Sequence, residues 1–215
     1  MNDLAFLRVT DGGEGRYVVV DAHRFPDLNL STWHWWVNDE GRVNIIANSG
    51  RYKGRTLTKV VNGTPDGFDT DHINEDPRDY TERNLRTATR SQNMANRGKP
   101  DTGHNTSEIK GIFSAGIKWT AQVCVNYKRI HLGTYETEIE AGYAYNYAAR
   151  ACFGSFAKLN RLKPLPELDL MIIRDKVRSI IREKVFNGGK LPDELSPHLS
   201  VEGTLVKPQS QQERT

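Results

Sequence analysis

Apolar and polar positions alternate in several short runs along the first seventy residues. Residues 16–21 (RYVVVD) and 32–37 (TWHWWV) are β-branched and aromatic, bounded by Gly, Pro, Asn and Asp, and this pattern predicts strands. Asn38-Asp39-Glu40-Gly41 reads as a hairpin turn into a further strand at 42–47. Period-two spacing puts Trp33 and Trp35 on one face, where packing in a small core outweighs a stacking role. Residues 56–62 (TLTKVVN) read as a short strand or helix leading into the turn-rich Gly63 to Gly67, and 68–71 as a strand. After Leu85 the period becomes helical. Thr89 is suited to cap a short helix, Met94 and Ala95 are its apolar positions, and Gly98 is suited to end it in the left-handed conformation.

Residues 99–107 sit in a run rich in Gly, Pro, Asn and Ser that reads as a linker. Beyond it, 111–113, 118–126 (KWTAQVCVN) and 129–135 predict three short strands, joined at Ser114-Ala115-Gly116 and Asn126-Tyr127-Lys128. Thr137-Glu138-Ile139-Glu140 is a capping box that opens a helix, with Ile139, Tyr143, Tyr147 and Ala148 on one face and Gly154 at its close. One helix covers one face of a three-stranded sheet, which leaves the other face to solvent or a ligand. Residues 166–186 form an amphipathic pattern through Leu170, Ile173, Val177, Ile180 and Ile181, with a packing partner on either domain or on another chain. The division is therefore 1–98, linker 99–107, 108–163, an amphipathic helix within 164–188, and a polar, Pro-interrupted tail at 189–215 whose last ten residues read as disordered.

Composition narrows the class. At 37% hydrophobic and 27% charged, the 215-residue chain is an ordinary globular one, which excludes disorder throughout. No run approaches the roughly 18 apolar residues of a membrane span, and residues 1–10 lack a secretory pattern. The two cysteines, Cys124 and Cys152, have no CxxC partner, which excludes a disulfide-built fold and a cysteine-ligated zinc site. The expectation is a soluble protein of the cytoplasm, that of the host cell if the chain is phage-encoded, with no membrane partner. Net charge is only +3, but basic residues concentrate in the middle of the chain. Arg78, Arg83, Arg86, Arg90, Arg97 and Lys99 face only Asp79 and Glu82 over 78–99, and 109–135 hold Lys110, Lys118, Lys128 and Arg129 with no acid. Such clusters fit polyanion binding, and equally a solvated surface.

The chemistry lies in Asp71-His72-Ile73-Asn74, Asn84-Leu85-Arg86 and Asn93 with Asn96. An Asp beside a His at a strand end, with Asn residues 12 and 21 positions after the His, converges if the second Asn lies on a helix packed back on the hairpin. Asp71 and Asn93 then supply oxygen ligands for a hard cation such as Mg²⁺. His72 faces the other way as a general base on water, and Asn84 fixes the hairpin and orients the imidazole. These parts suffice for phosphodiester hydrolysis, with Arg78, Arg83, Arg86, Arg90 and Arg97 as holders of flanking phosphates.

The ordered set resembles the ββα-metal (His-Me finger) motif of HNH nucleases, in the H-N-N variant of phage and intron homing endonucleases. The resemblance covers about residues 15–98, with Leu57-Thr58-Lys59-Val60 standing where the family often has L-H-R-L. It implies Asp71 and Asn93 as metal ligands, His72 as general base and Asn84 as its support, with Mg²⁺ (or Mn²⁺) and no zinc. The blocks Lys118-Trp119-Thr120-Ala121, Leu132-Gly133-Thr134-Tyr135, Ala141-Gly142-Tyr143-Ala144-Tyr145-Asn146 and Phe153-Gly154-Ser155-Phe156-Ala157-Lys158-Leu159-Asn160 resemble the Apetala/ethylene-response-factor DNA-binding domain. That resemblance implies a sheet laid in the DNA major groove, with Lys118, Trp119, Gln122, Lys128, Arg129 and His131 as candidate contacts. Trp119 also reads as a packing anchor.

The expected fold is α+β, and the expected protein a metal-dependent DNA endonuclease of the homing or free-standing type. It would act as a monomer on double-stranded DNA, nicking or breaking it to leave 5′-phosphate and 3′-hydroxyl ends. The alternative is a non-catalytic, sequence-specific DNA-binding regulator. An RNA-directed nuclease fits less well, because a sheet in the major groove suits B-form duplex.

Overall fold

A computed structural model describes residues 3–13, 15–38, 43–99 and 106–187. The expected turn at 38–41, apart from Asn38, the centre of the expected linker and the polar tail lie outside the described residues. The chain is mixed α+β and divides into two compact units, Met1–Arg97 and Gly98–Thr215.

In the first unit, β1 (Leu4–Thr10) and β2 (Gly15–Asp21) form an antiparallel pair, and β3 (Trp33–Val37) and β4 (Val43–Ala47) form another. A parallel contact of Thr10 with His34 joins them into one sheet of order β2-β1-β3-β4. β1 is absent from the sequence reading above, although its alternation puts Leu7 and Val9 in the core. Trp33 and Trp35 are buried with Val18, Val20, Ile45 and Leu57, whereas Trp36 turns out to solvent. Trp33 satisfies its indole by donating to the Leu28 carbonyl at 2.9 Å, as a buried Trp must. The ambiguous 56–62 segment is helical, α2 (Leu57–Asn62), with its three apolar residues Leu57, Val60 and Val61 in that core.

β5 (Asp69–His72) and β6 (Leu85–Ala88) make an antiparallel hairpin, and α3 (Arg90–Asn96) follows. Thr89 caps α3 with a full capping box: its hydroxyl accepts from Gln92 N while Gln92 Oε1 accepts from Thr89 N. The helix ends differently from expectation. Arg97 turns extended at φ −64°, ψ 142°, so Gly98 is not required to adopt a left-handed conformation there. The loop between β5 and β6 is tied to the sheet edge, since Val19 N donates to Arg78 O and Tyr80 N to Val19 O, both at 2.8 Å. Buried Asp21 completes the tie by accepting from Glu82 N.

In the second unit, β7 (Ile112–Ala115), β8 (Lys118–Val125) and β9 (Lys128–Tyr135) form an antiparallel sheet in that order. Val125 pairs with Lys128 across the two-residue loop Asn126-Tyr127, and both loop residues have positive φ. That is the type I′ geometry that matches strand twist. Alternation sends Ala121, Val123, Ile130 and Leu132 to one face, which α4 (Glu138–Phe153) covers. The buried positions of α4 are Ala141, Gly142, Ala144, Tyr145, Ala148, Ala149, Ala151 and Phe153, while Ile139, Tyr143 and Tyr147 are only half-buried. The reason is that α4 is covered twice. α5 (Glu167–Lys184) packs on it with Ile173, Val177 and Ile181, so the partner of the amphipathic helix lies within its own unit.

The closing Leu159-Asn160 block has a structural use. Asn160 exchanges hydrogen bonds with both the N–H and the carbonyl of Lys110 and with Asn146 of α4, joining the chain entry to the helix. Gly111 beside it has φ +78°, and a Cβ there would stand 2.0 Å from the Tyr145 ring, so only glycine fits.

Candidate active site and nucleic-acid interface

The hairpin register decides the first unit's chemistry. On β5, Asp69 and Asp71 alternate to one face and His72 to the other. Residues three apart on α3 share a face, and Asn93 and Asn96 point at the two carboxylates. Asn93 Nδ2 donates to Asp69 Oδ2 at 2.9 Å, and Asn96 Nδ2 donates to Asp71 Oδ1 at 3.0 Å and to the His72 carbonyl at 2.8 Å. All of these residues line one cleft of about 480 Å³, which Thr58, Lys59, Tyr80, Arg90 and Arg97 also border.

Asp71 is 3% exposed and faces Arg86 directly across the hairpin. Arg86 donates through Nε at 2.8 Å, and its Nη2 lies 2.7 Å from the same carboxylate oxygen. Arg86, expected on sequence to hold phosphate, is therefore an internal partner of Asp71, because strand register places the two side by side. Arg90 pairs with Asp69 at 3.3 Å, Arg97 is half-buried at the cleft, and Arg78 and Arg83 are exposed.

His72 is largely enclosed, its ring edge-on to buried Tyr80 with centroids 5.1 Å apart. Its Nε2 is buried and without a hydrogen-bond partner among the described residues. Burial lowers the imidazole pKa below its ordinary 6.5, against the opposing pull of Asp71, Asp79 and Asp76, so the ring is neutral at pH 7 and able to accept a proton.

Asn84 is buried and ties the hairpin loop together. Its amide oxygen accepts from Asn74 N at 3.0 Å, and Nδ2 donates to Asn74 Oδ1 and the Asp79 carbonyl, each at 2.9 Å. The amide is spent on the loop that follows His72 rather than on the imidazole, and Ile73 N adds a bond to the Asn84 carbonyl. It fixes the backbone that carries the base.

Four side chains that carry hard oxygens (Asp69, Asp71, Asn93, Asn96) thus line one cleft with a half-buried imidazole whose Nε2 has no partner among the described residues. That donor chemistry fits Mg²⁺, which takes one or two carboxylates and fills its remaining positions with water and phosphate. Among the described residues no group of three or more His, Cys, Asp or Glu side chains is arranged to hold a metal. Asp69, Tyr80 and Lys59 join the cleft without being site candidates on sequence, whereas Asn96 belongs to the sequence-expected set.

In the second unit the outward sheet face carries cross-strand pairs Gln122–His131 and Cys124–Arg129, with Lys128 at the hairpin end. Lys118 shares that face and is paired with Glu136 at 2.6 Å. Trp119 is half-buried and alternates to the face of Ala121 and Val123, toward α4. Cys124 is exposed, whereas burial pushes the Cys152 thiol up to about 12. A thiol reagent should therefore modify one of the two cysteines of the native chain within minutes and both after unfolding. Two fast thiols in the native chain would contradict this packing of α4.

No helix among the described residues is long and apolar enough to cross a membrane. No protein-family model matches the sequence. Over 164 residues the chain is 25% identical to an uncharacterized HNH endonuclease of Acanthamoeba polyphaga mimivirus, an alignment spanning 75% of this chain and 84% of the virus protein. This distant likeness, read with the α+β fold, supports an HNH nuclease at the level of the family.

Proposed function

We propose that the chain is a divalent-metal-dependent DNA endonuclease in which the β5–β6–α3 unit is a ββα-metal site and the outward sheet face of the second unit, of Apetala/ethylene-response-factor type, grips duplex DNA. The observation that carries the reading is the half-buried His72 imidazole, whose buried Nε2 has no hydrogen-bond partner among the described residues, in one cleft with the side chains of Asp71 and Asn93. Asp71 and Asn93 would hold the cation, with Mg²⁺ as the natural choice and Mn²⁺ as a substitute. When bound, it supplies charge stabilisation to the scissile phosphate and the departing 3′ oxygen. His72 takes a proton from the attacking water, Asn84 holds the loop that presents it, and Arg90, Arg97, Arg78 and Arg83 attract flanking phosphates.

On the second unit, Gln122 and His131 are placed on a face able to meet base edges, and Lys128 and Arg129 to meet phosphates. Lys118, already paired with Glu136, and inward Trp119 serve packing and solubility there rather than readout. One site per chain predicts a nick from a monomer. A specific observation favours the regulator reading: Arg86 engages Asp71 Oδ2 and Asn96 donates to Oδ1, and both compete with a cation for the carboxylate.

Two experiments test the proposal. Hydrolysis at the 3′ oxygen leaves ends that DNA ligase reseals with no phosphatase or kinase treatment, and ends that resist ligation contradict the mechanism. Duplex DNA bound on the sheet face should slow alkylation of Cys124 by roughly tenfold or more at saturation, and unchanged alkylation in the complex would exclude this face as the interface.

A further inference from the structure

Asp69 stands two residues before Asp71 on the same face of β5, half-buried at the cleft. Its Oδ2 accepts from Asn93 Nδ2 at 2.9 Å and from Arg90 Nη1 at 3.3 Å. A carboxylate can only accept, so the NH₂ end of the Asn93 amide is obliged to face it. The carbonyl end then points away from Asp69. The difference matters because the two ends of a primary amide are opposite in chemistry: one is an oxygen ligand, and the other repels a cation. A half-turn about the last side-chain bond exchanges them.

We propose that Asp69 is a positioning residue that holds Asn93 in the one orientation offering its oxygen to a hard divalent cation. The inference rests on the reading of this cleft as a metal site. Asn96 plays the matching part for Asp71, bridging Asp71 Oδ1 and the His72 carbonyl with one NH₂ group, so each donor is held by a neighbour. Outer partners of this kind commonly set metal affinity by 10–100-fold.

The test is a Mn²⁺ titration of the full chain without DNA, following free Mn²⁺ by electron paramagnetic resonance, with thermal unfolding of each variant alongside. Asp69→Ala, and Asp69→Val as a strand-compatible replacement, remove the acceptor and should weaken Mn²⁺ binding about 10–100-fold. Asp69→Asn keeps an amide oxygen toward Asn93 and should stay within roughly threefold of the native chain. Loss of binding by Asp69→Asn as deep as by Asp69→Ala would overturn orientation as the cause. Native-like affinity in Asp69→Ala and Asp69→Val, with affinity lost in Asn93→Ala, would overturn the inference and leave the metal site standing. A native chain that binds no Mn²⁺ up to millimolar concentrations would overturn both.

Discussion

Replacing His72 by alanine should lower the cleavage rate about 10²–10⁴-fold, the range that a positioned general base contributes. Duplex DNA affinity should barely move, because the imidazole is enclosed against Tyr80 and is not part of the basic surface. The effect therefore falls on turnover. Burial lowers the His72 pKa, so the neutral, proton-accepting form persists to lower pH than for a free imidazole. The acid limb of the pH–rate profile should accordingly lie below pH 6.5. A variant that cuts at the native rate would remove His72 from the chemistry.

The second large effect concerns the Asp71–Arg86 pair, which lies across one hairpin step with side chains 4% and 17% exposed. Breaking a pair this deep by removing one partner typically costs about 3–5 kcal/mol, mostly through desolvated charge left behind. Asp71→Leu and Arg86→Leu alone should each lower unfolding free energy by about 3 kcal/mol. The double variant should recover much of that loss, since an apolar pair of similar volume carries no desolvation penalty. Cleavage separates the roles. It should stay abolished in the double variant, because the carboxylate proposed to hold the cation is gone although the fold has returned. A urea-denaturation cycle gives the coupling, and additive losses would show that the two side chains act independently.

The parts of the site legible in the sequence are those fixed by local chain geometry. Asp71 and His72 are adjacent, so a strand must send them to opposite faces, and the Thr89 capping box sets where α3 begins and hence which way Asn93 points. What sequence could not supply is the partner across the hairpin. Arg86 looks like a phosphate binder when read among Arg78, Arg83 and Arg90, and only the register Asp71↔Arg86 reveals its internal use. Asn84 was legible as a hairpin residue, but its choice of Asn74 and Asp79 over the imidazole depends on a loop conformation that no spacing encodes.

A similar division holds for the fold. Gly98 carries the usual helix-stop chemistry, yet Arg97 already leaves α3 in an extended conformation, so the left-handed stop is not used. The 166–186 pattern specified an apolar stripe without naming what it covers. The packing on α4 explains both that stripe and the run of alanines on α4, whose small side chains admit close neighbours on two sides.

The central claim is best tested on supercoiled plasmid carrying a library of candidate sites. The native chain and His72→Ala would be compared in Mg²⁺, in Mn²⁺ and in EDTA. Metal-dependent conversion to open circle by the native chain, abolished by EDTA and by His72→Ala, is the expected result. Tight, salt-sensitive DNA binding with no cleavage in either metal would contradict a nuclease and identify the chain as a DNA-binding regulator.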